Sequence, residues 1–147
     1  MIIRKSVGIV LFRETKGKRN YVLLKHNTKD QYWGFAKGTP EKKETESETA
    51  IREIKEETDL ENINLINDFK ESTHYYFEED NQEYDKTVVF FLGEVLDKQD
   101  GKVSHEHEEL KWLSYEKALN QITHDNDRNL LKKAEETVIS IKKSHNT

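Results

Sequence analysis

Three glutamates lie close together in a segment that has the composition of a helix. Glu53, Glu56 and Glu57 belong to the sequence REIKEE at positions 52–57, and residues three or four positions apart share one face of a helix. Carboxylates held together repel each other, and a divalent cation that prefers hard oxygen ligands, Mg²⁺ or Mn²⁺, relieves that repulsion. The alternative is a solvated acidic face that binds nothing, because helices rich in Glu and Lys are common.

The surrounding pattern predicts how this acidic helix is held. We expect the helix to run from about Thr45 to Thr58, with Ala50, Ile51 and Ile54 on its side and back, where a sheet can cover them. The loop before it contains Pro40, the only proline of the chain. Periodicity predicts strands at 6–12, 21–25, 63–71, 72–78, 86–96 and 110–113, and helices at 114–121 and 127–142.

These elements indicate an α/β layer architecture, and the first two strands are expected to pair antiparallel. No repeat, low-complexity segment or linker interrupts the 147 residues, so we expect one domain, 1–147. The chain has no cysteine, which excludes disulfides and thiolate chemistry.

Charge and hydropathy narrow the function classes. The net charge is −5, so we expect no nucleic-acid partner, and an anionic substrate must meet local lysines or a metal. The sequence contains no apolar run of the roughly 20 residues that span a membrane. The apolar N-terminal stretch is short and lacks a small-residue cleavage site. We therefore expect a soluble cytoplasmic protein that does not enter a membrane.

The spacing around the glutamates resembles a known family motif. Five residues separate Gly38 from Glu44, and seven more precede Arg52. This resembles the Nudix box, G-x5-E-x7-R-E-U-x-E-E-x-G-U with U apolar, at positions 38–60. The one departure is Asp59 in place of the last glycine. That glycine ends a helix with a positive φ, a conformation that Asp tolerates better than most residues.

The resemblance implies a Nudix fold, a mixed β-sheet between helices with the box as a loop–helix–loop. It also implies hydrolysis of a pyrophosphate bond in a nucleoside diphosphate linked to another moiety, with Mg²⁺ between the phosphates and the protein. Glu53 is the first candidate for the general base, Arg52 would hold a glutamate of the box in place, and Glu44 would support them. The implied metal ligands are the carbonyl of Gly38 and the carboxylates of Glu53, Glu56, Glu57 and Glu106.

Three further segments resemble the diadenosine tetraphosphate hydrolases of animal and archaeal type. They are W-x-x-x-K-G from Trp33, K-T-V-x-aromatic-aromatic-L from Lys86, and S-H-E-H-x4-W-L from Ser104. The resemblance implies a small-molecule nucleotide substrate, most specifically diadenosine tetraphosphate, cleaved to ATP and AMP. A monomer is the default expectation, because no feature of the sequence indicates an oligomeric state.

The same resemblance implies roles for residues outside the box. Lys37 and Lys86 would contact phosphates, Tyr32 and Tyr76 would form the pocket wall, and Glu106 would reach the metals or act as the base. Phe90 would stack on adenine, with plain core packing as the alternative. His124 lies near the position where family members carry an aromatic residue for a second adenine.

Three other functions fit the box less completely. A nucleoside triphosphatase would use the same chemistry, and a 5′-RNA pyrophosphohydrolase would need a basic groove that the net charge does not favour. A non-catalytic nucleotide sensor would be free to lose the glutamates, yet Glu53, Glu56 and Glu57 are all present. These alternatives predict different substrates for one fold.

Overall fold

The computed structural model describes residues 1–97, 99–103 and 107–145. Across these residues, no helix combines the length and the apolar character that a membrane crossing requires. The strands are β1 (Ile2–Thr15), β2 (Lys18–His26), β3 (Trp33–Gly34), β4 (Ala36–Gly38), β5 (Ile63–Leu65), β6 (Glu71–Glu79), β7 (Gln82–Val95) and β8 (His107–Ser114). The helices are α1 (Glu46–Thr58), α2 (Tyr115–Gln121) and α3 (Asp125–His145).

The strands form one mixed sheet, with the order β3-β2-β1-β7-β5 along its main path. β4 pairs with β1, β6 with β7, and β8 with β2. The pair β1 and β7 is parallel, and the other pairs are antiparallel, including β1 with β2 as predicted. The parallel pair places the first half of β1 beside the central part of β7, where the site described below is built.

Alternating side chains of β1 face two different cores. Val10 and Phe12 pack in a cluster with residues of α2 and α3, whereas Val7, Ile9 and Leu11 pack in a second cluster with residues of α1. Because successive residues of a strand point to opposite faces, one apolar strand serves both layers. The sheet therefore lies between helices, which confirms the predicted fold class.

Both ends of α1 have identifiable caps. The side chain of Thr45 accepts a hydrogen bond from Glu48 N at 3.2 Å, and the Glu48 carboxylate accepts one from Thr45 N at 2.9 Å, which together form a capping box. At the other end, Asp59 adopts a left-handed conformation, with φ 61° and ψ 17°. The glycine position of the motif thus has the positive φ that the sequence predicted, and Asp occupies it.

The strand predicted over 63–71 is wrong over most of its length. Only Ile63–Leu65 pairs, with the end of β7, and the chain then leaves the sheet after the bond from Ile66 N to Leu92 O. Asp68 has φ 71°, a left-handed conformation that cannot continue a strand. The turn separates β5 from β6.

The β6–β7 hairpin is longer than predicted. Its strands extend to Glu79 and back to Gln82, and the two residues between them, Asp80 and Asn81, have φ 51° and 63°. Two consecutive positive φ values match the tight hairpin turn that Asp and Asn favour. The hairpin pairs Phe77 with Tyr84, and Tyr84 also lies opposite Ile2 at the start of β1.

Substitutions at Asp59 test the left-handed helix end. Asp59→Val should lower the free energy of unfolding by about 1 kcal/mol, because a β-branched side chain fits the left-handed region poorly. Asp59→Asn is the matched control and should stay within about 0.5 kcal/mol of the parent, because Asn tolerates this conformation. Chemical denaturation of the three proteins measures the difference. Equal stabilities for the Val and Asn variants would contradict this account.

Candidate active site

The guanidinium of Arg52 joins the loop before α1 to the helix itself. It donates to both carboxylate oxygens of Glu44, from Nε at 2.6 Å and from Nη2 at 3.0 Å. Nη1 donates to Glu53 at 2.8 Å and Glu56 at 3.1 Å, and Nη2 also donates to the carbonyl of Thr39 at 3.1 Å. One planar cation thus fixes three carboxylates and one loop carbonyl, as bidentate arginine pairs do.

Glu44 supports Arg52 from the loop side. Its carboxylate also accepts hydrogen bonds from Thr49 Oγ1 at 2.6 Å and from the backbone N–H of Glu41 at 3.0 Å. The hydrogen bonds from Arg52, the Glu41 backbone and Thr49 lower the pKa of Glu44 to about 2. Glu44 is therefore ionised at neutral pH and acts as an anchor for Arg52.

Gly38 lies directly against the carboxylate of Glu53. A Cβ placed on Gly38 would overlap the carboxylate carbon and both of its oxygens. Only a residue without a side chain lets the end of β4 approach the helix this closely. The backbone of Gly38 and the carboxylate of Glu53 are consequently held side by side.

The three glutamates of the helix differ in their surroundings. Glu57 is 4% exposed, and its Oε1 lies 3.7 Å from Nε2 of the buried His107. The Glu53 side chain is 13% exposed, whereas that of Glu56 is 57% exposed. The alternative of a wholly solvated acidic face is wrong for Glu53 and Glu57, because both carboxylates point into the protein.

The donor set suits a hard divalent cation. Carboxylate and carbonyl oxygens are the ligands that Mg²⁺ and Mn²⁺ prefer, and the close contact of Gly38 with Glu53 places a backbone segment beside a carboxylate. In the described part of the chain, no three His, Asp or Glu side chains already converge as a metal site, and the Arg52 guanidinium lies against Glu53 and Glu56. The assignment of Gly38, Glu53, Glu56 and Glu57 as ligands stays a prediction.

A cavity of about 720 Å³ opens beside the box, and we call it the nucleotide cavity. It contains Lys37, the residue before Gly38, and Lys86 of β7. Lys37 Nζ lies 5.1 Å from the centre of the Tyr32 ring and 5.8 Å from that of Tyr75. The residues that define it here are Tyr32, Lys37, Tyr75, Tyr76, Lys86 and Asp127.

Four residues that the sequence assigned to substrate binding line this cavity, namely Tyr32, Tyr76, Lys37 and Lys86. Phe90 does not line it. The Phe90 ring is 1% exposed and packs edge to face on Phe35 at 6.0 Å, close above Gly8. The expected stacking of Phe90 on adenine is thus replaced by core packing, the alternative that the sequence had left open.

Tyr75 and Asp127 are two of the cavity residues that sequence reasoning missed. Tyr75 lies next to the predicted Tyr76, and alternation along a strand did not reveal which tyrosine faces Lys37. Asp127 is buried in the first turn of α3, and burial raises the pKa of its carboxyl group, with Lys37 opposing that effect. An acid at the start of a helix is an ordinary feature, so it gave no distinguishing signal.

His124 lines the same cavity, 5.1 Å from the Tyr32 ring. Glu106 lies outside the described residues, so its role stays a prediction.

Comparisons with known proteins agree with this geometry. The Nudix domain model matches residues 3–134. The asymmetrical bis(5'-nucleosyl)-tetraphosphatase of Caenorhabditis elegans is 30% identical over 120 residues, covering 80% of this chain and 84% of that protein. The dihydroneopterin triphosphate diphosphatase of Haemophilus influenzae is 30% identical over 138 residues, covering 88% of this chain and 85% of that protein. A crystal structure of a C. elegans Ap4A hydrolase binary complex superposes with a TM-score of 0.81 at 28% identity, covering 93% of this chain and 98% of that chain.

The chain therefore belongs to the Nudix family. Within that family it is a pyrophosphohydrolase enzyme with homology to the asymmetrical tetraphosphatases. The enzyme class predicted from the box is confirmed.

Adding a methyl group at Gly38 tests the contact with Glu53. Gly38→Ala should lower pyrophosphohydrolase turnover on the order of 100-fold, because the Cβ displaces the Glu53 carboxylate and small misplacements of catalytic groups are costly. Gly17→Ala is the control, since a Cβ there meets nothing within 4 Å. It should lose some stability because its φ is positive, but it should keep the parent turnover. Chromatography of nucleotide products measures both. Parent-like turnover of the Gly38 variant would contradict the role of the contact.

His26 should make stability depend on pH. Burial is the main cause that lowers the pKa of His26 to about 3, with His107 and Lys37 adding to it, while the Phe35 carbonyl and Asp30 act in the opposite direction. The unfolded chain binds a proton near pH 6.5, but the folded chain does not. The stability due to neutral His26 is therefore complete above pH 6.5 and is lost as pH falls towards 3, with a slope of up to about 1.4 kcal/mol per pH unit.

Urea unfolding between pH 4 and 7 measures this slope. His26→Gln is the matched variant, because its amide can still donate to the Phe35 carbonyl that lies 3.0 Å from Nε2 of His26. Its unfolding free energy should fall less steeply with acid than that of the parent. Identical slopes in the two proteins would exclude His26 as the source.

Proposed function

We propose that this protein hydrolyses a phosphoanhydride bond of a dinucleoside polyphosphate, with diadenosine tetraphosphate as substrate and ATP and AMP as products. One observation carries the proposal: the nucleotide cavity, with two lysines and three tyrosines, is lined by Lys37, the residue directly before Gly38, and Gly38 lies against the Glu53 carboxylate. The likeness to the asymmetrical tetraphosphatases supports it. The proposal includes Mg²⁺ or Mn²⁺ dependence, and the monomeric state and cytoplasmic location expected from the sequence.

Lys37 and Lys86 are the phosphate-binding groups in this proposal. Among the described residues, neither amine lies within 4 Å of a carboxylate, so both can meet an anion. Tyr32 and Tyr75 flank Lys37, and Tyr76 is 71% exposed at the cavity wall. Aromatic faces of this kind hold a nucleobase by stacking, whatever its hydrogen-bonding edge.

The reaction adds one water across a P–O–P bridge. The oxygen of water forms the new bond to phosphorus, the bridging oxygen leaves with the other nucleotide, and Glu53 accepts the proton from the attacking water. Gly38, Glu53, Glu56 and Glu57 would hold the divalent cation. When bound, it neutralises the charge on the phosphate oxygens. Arg52 keeps Glu53 and Glu56 in position throughout.

Hydrolysis of a single nucleoside or pterin triphosphate is the second candidate. The specific observation in its favour is the 30% identity to the H. influenzae diphosphatase, which extends over more of this chain than the match to the C. elegans tetraphosphatase. A triphosphate with one ring system needs only the nucleotide cavity. A dinucleoside polyphosphate needs a second place for its other nucleoside.

Glu57→Gln tests the assigned metal chemistry. It should reduce turnover on the order of 100-fold and shift the Mg²⁺ requirement to higher concentration, because a buried amide replaces a buried anionic ligand. Glu61→Gln is the control, since Glu61 is exposed and pairs only with Lys55 in the described structure. Product chromatography with diadenosine tetraphosphate, dihydroneopterin triphosphate, ATP, ADP-ribose and 5′-triphosphate RNA identifies the substrate.

The parent should cleave diadenosine tetraphosphate with the highest kcat/KM of this panel. A preference for the triphosphates would overturn the proposed substrate. Unchanged Mg²⁺-dependent turnover in the Glu57 variant would overturn the ligand assignment. Tight nucleotide binding without any turnover of the parent would support a sensor.

A further inference from the structure

A second recess lies next to the nucleotide cavity. We call it the distal groove, and its volume is about 500 Å³. Lys86 and Phe77 line both recesses. The residues of the distal groove used below are Arg4, Lys5, Thr39, Phe77, Tyr84 and Lys86.

The residue that contacts the candidate catalytic carboxylate lies, along the chain, between one residue of each recess. Lys37 lines the nucleotide cavity, Thr39 lines the distal groove, and Gly38 between them lies against Glu53. β4 is held here by its pairing with β1, which sets Val7 opposite Gly38. A polyphosphate chain that crosses Gly38 therefore has one recess at each end.

Three cations, Arg4, Lys5 and Lys86, and one carboxylate, Glu79, line the distal groove. Arg4 and Lys86 are direct partners in the parallel β1–β7 register. Among the described residues neither one lies within 4 Å of a carboxylate, whereas Lys5 forms an ion pair with Glu46 at 2.8 Å. Burial lowers the pKa of Lys86, and the nearby Lys37 and Arg4 lower it further. A phosphate would relieve this repulsion between cations.

The far end of the distal groove is aromatic. The rings of Phe77 and Tyr84 stack at 4.9 Å with an angle of 9° between their planes. The guanidinium of Arg4 lies 5.6 Å from the centre of the Tyr84 ring. Phe77 is 40% exposed, so the stack is accessible to another planar group. Stacked aromatic rings beside a guanidinium are a combination that binds nucleobases.

We propose that the distal groove binds the second nucleoside of a dinucleoside polyphosphate, with Arg4 and Lys86 on its proximal phosphates and Phe77 and Tyr84 beneath its base. This inference rests on the proposed function, since only a substrate with two nucleosides fills both recesses. According to this proposal, the β6–β7 hairpin and the first residues of β1 distinguish two-nucleoside from one-nucleoside substrates.

Tyr84→Ala and Arg4→Gln test the distal groove with a pair of substrates. Diadenosine tetraphosphate has two nucleosides, and adenosine 5′-tetraphosphate has the same phosphates with one. Tyr84→Ala should lower kcat/KM for the first about tenfold, within the range of base-stacking losses, and change it less than twofold for the second. Arg4→Gln should raise KM for diadenosine tetraphosphate severalfold.

Two controls separate this role from an effect on folding. Tyr84→Phe keeps the ring and should restore the preference for diadenosine tetraphosphate that Tyr84→Ala loses. Lys132→Gln removes one exposed positive charge from α3, outside the groove, and should keep the parent kinetics. Thermal unfolding establishes that each variant is folded. Titration calorimetry in EDTA should show the same loss for Tyr84→Ala in the binding of diadenosine tetraphosphate, with the binding of ATP unchanged.

The outcomes distinguish the two proposals. If the parent does not cleave dinucleoside polyphosphates, the proposed function fails and the distal assignment fails with it. If the parent cleaves them but Tyr84→Ala and Arg4→Gln retain parent kinetics, only the distal assignment is overturned. If Tyr84→Ala lowered kcat/KM equally for both substrates, the distal assignment would also be overturned, because Tyr84 would then act on the nucleoside that both substrates share.

Discussion

The five hydrogen bonds of the Arg52 guanidinium are the interaction on which the rest of the site depends. They connect the loop carbonyl of Thr39 and the anchored Glu44 to Glu53 and Glu56 on α1. Without this cation, the carboxylates would repel each other where the sheet and the helix must come into contact. The same bonds set the distance between the helix and β4, and so they set the contact of Gly38 with Glu53.

Two recesses lie near the contact between Gly38 and Glu53. β4 is short and pairs with β1, which pairs in parallel with β7. As a result Lys37, Arg4 and Lys86 converge from three separate parts of the chain. Cations that have no carboxylate within 4 Å in the described structure are unfavourable in an isolated protein, and they are common where a protein binds phosphates. The folded protein thus contains unfavourable repulsion between cations next to the box.

Much of the fold, the family and the enzyme class could be predicted from local sequence. The spacing from Gly38 through Glu44 to Arg52 predicted the loop–helix–loop and its family. The caps of α1 are local features, a side chain at Thr45 and a left-handed backbone at Asp59, so they too were accessible to sequence reasoning. The predicted strand at 63–71 was wrong because apolar residues suggested continuity, whereas Asp68 reverses the backbone.

The sequence by itself determined that Glu53, Glu56 and Glu57 project from neighbouring turns of α1, because helix periodicity depends only on their spacing. The sequence did not decide which side chains face the substrate. That choice depends on which face of the sheet each strand presents and on what packs there. Phe90 packs against Phe35 and Gly8 in the core. Tyr75 and Asp127 lie near Lys37, although they belong to elements distant from it in the sequence. The distal groove likewise exists only because β1 and β7 pair in parallel and bring Arg4 beside Lys86, a contact between residues 82 positions apart that only the folded sheet creates.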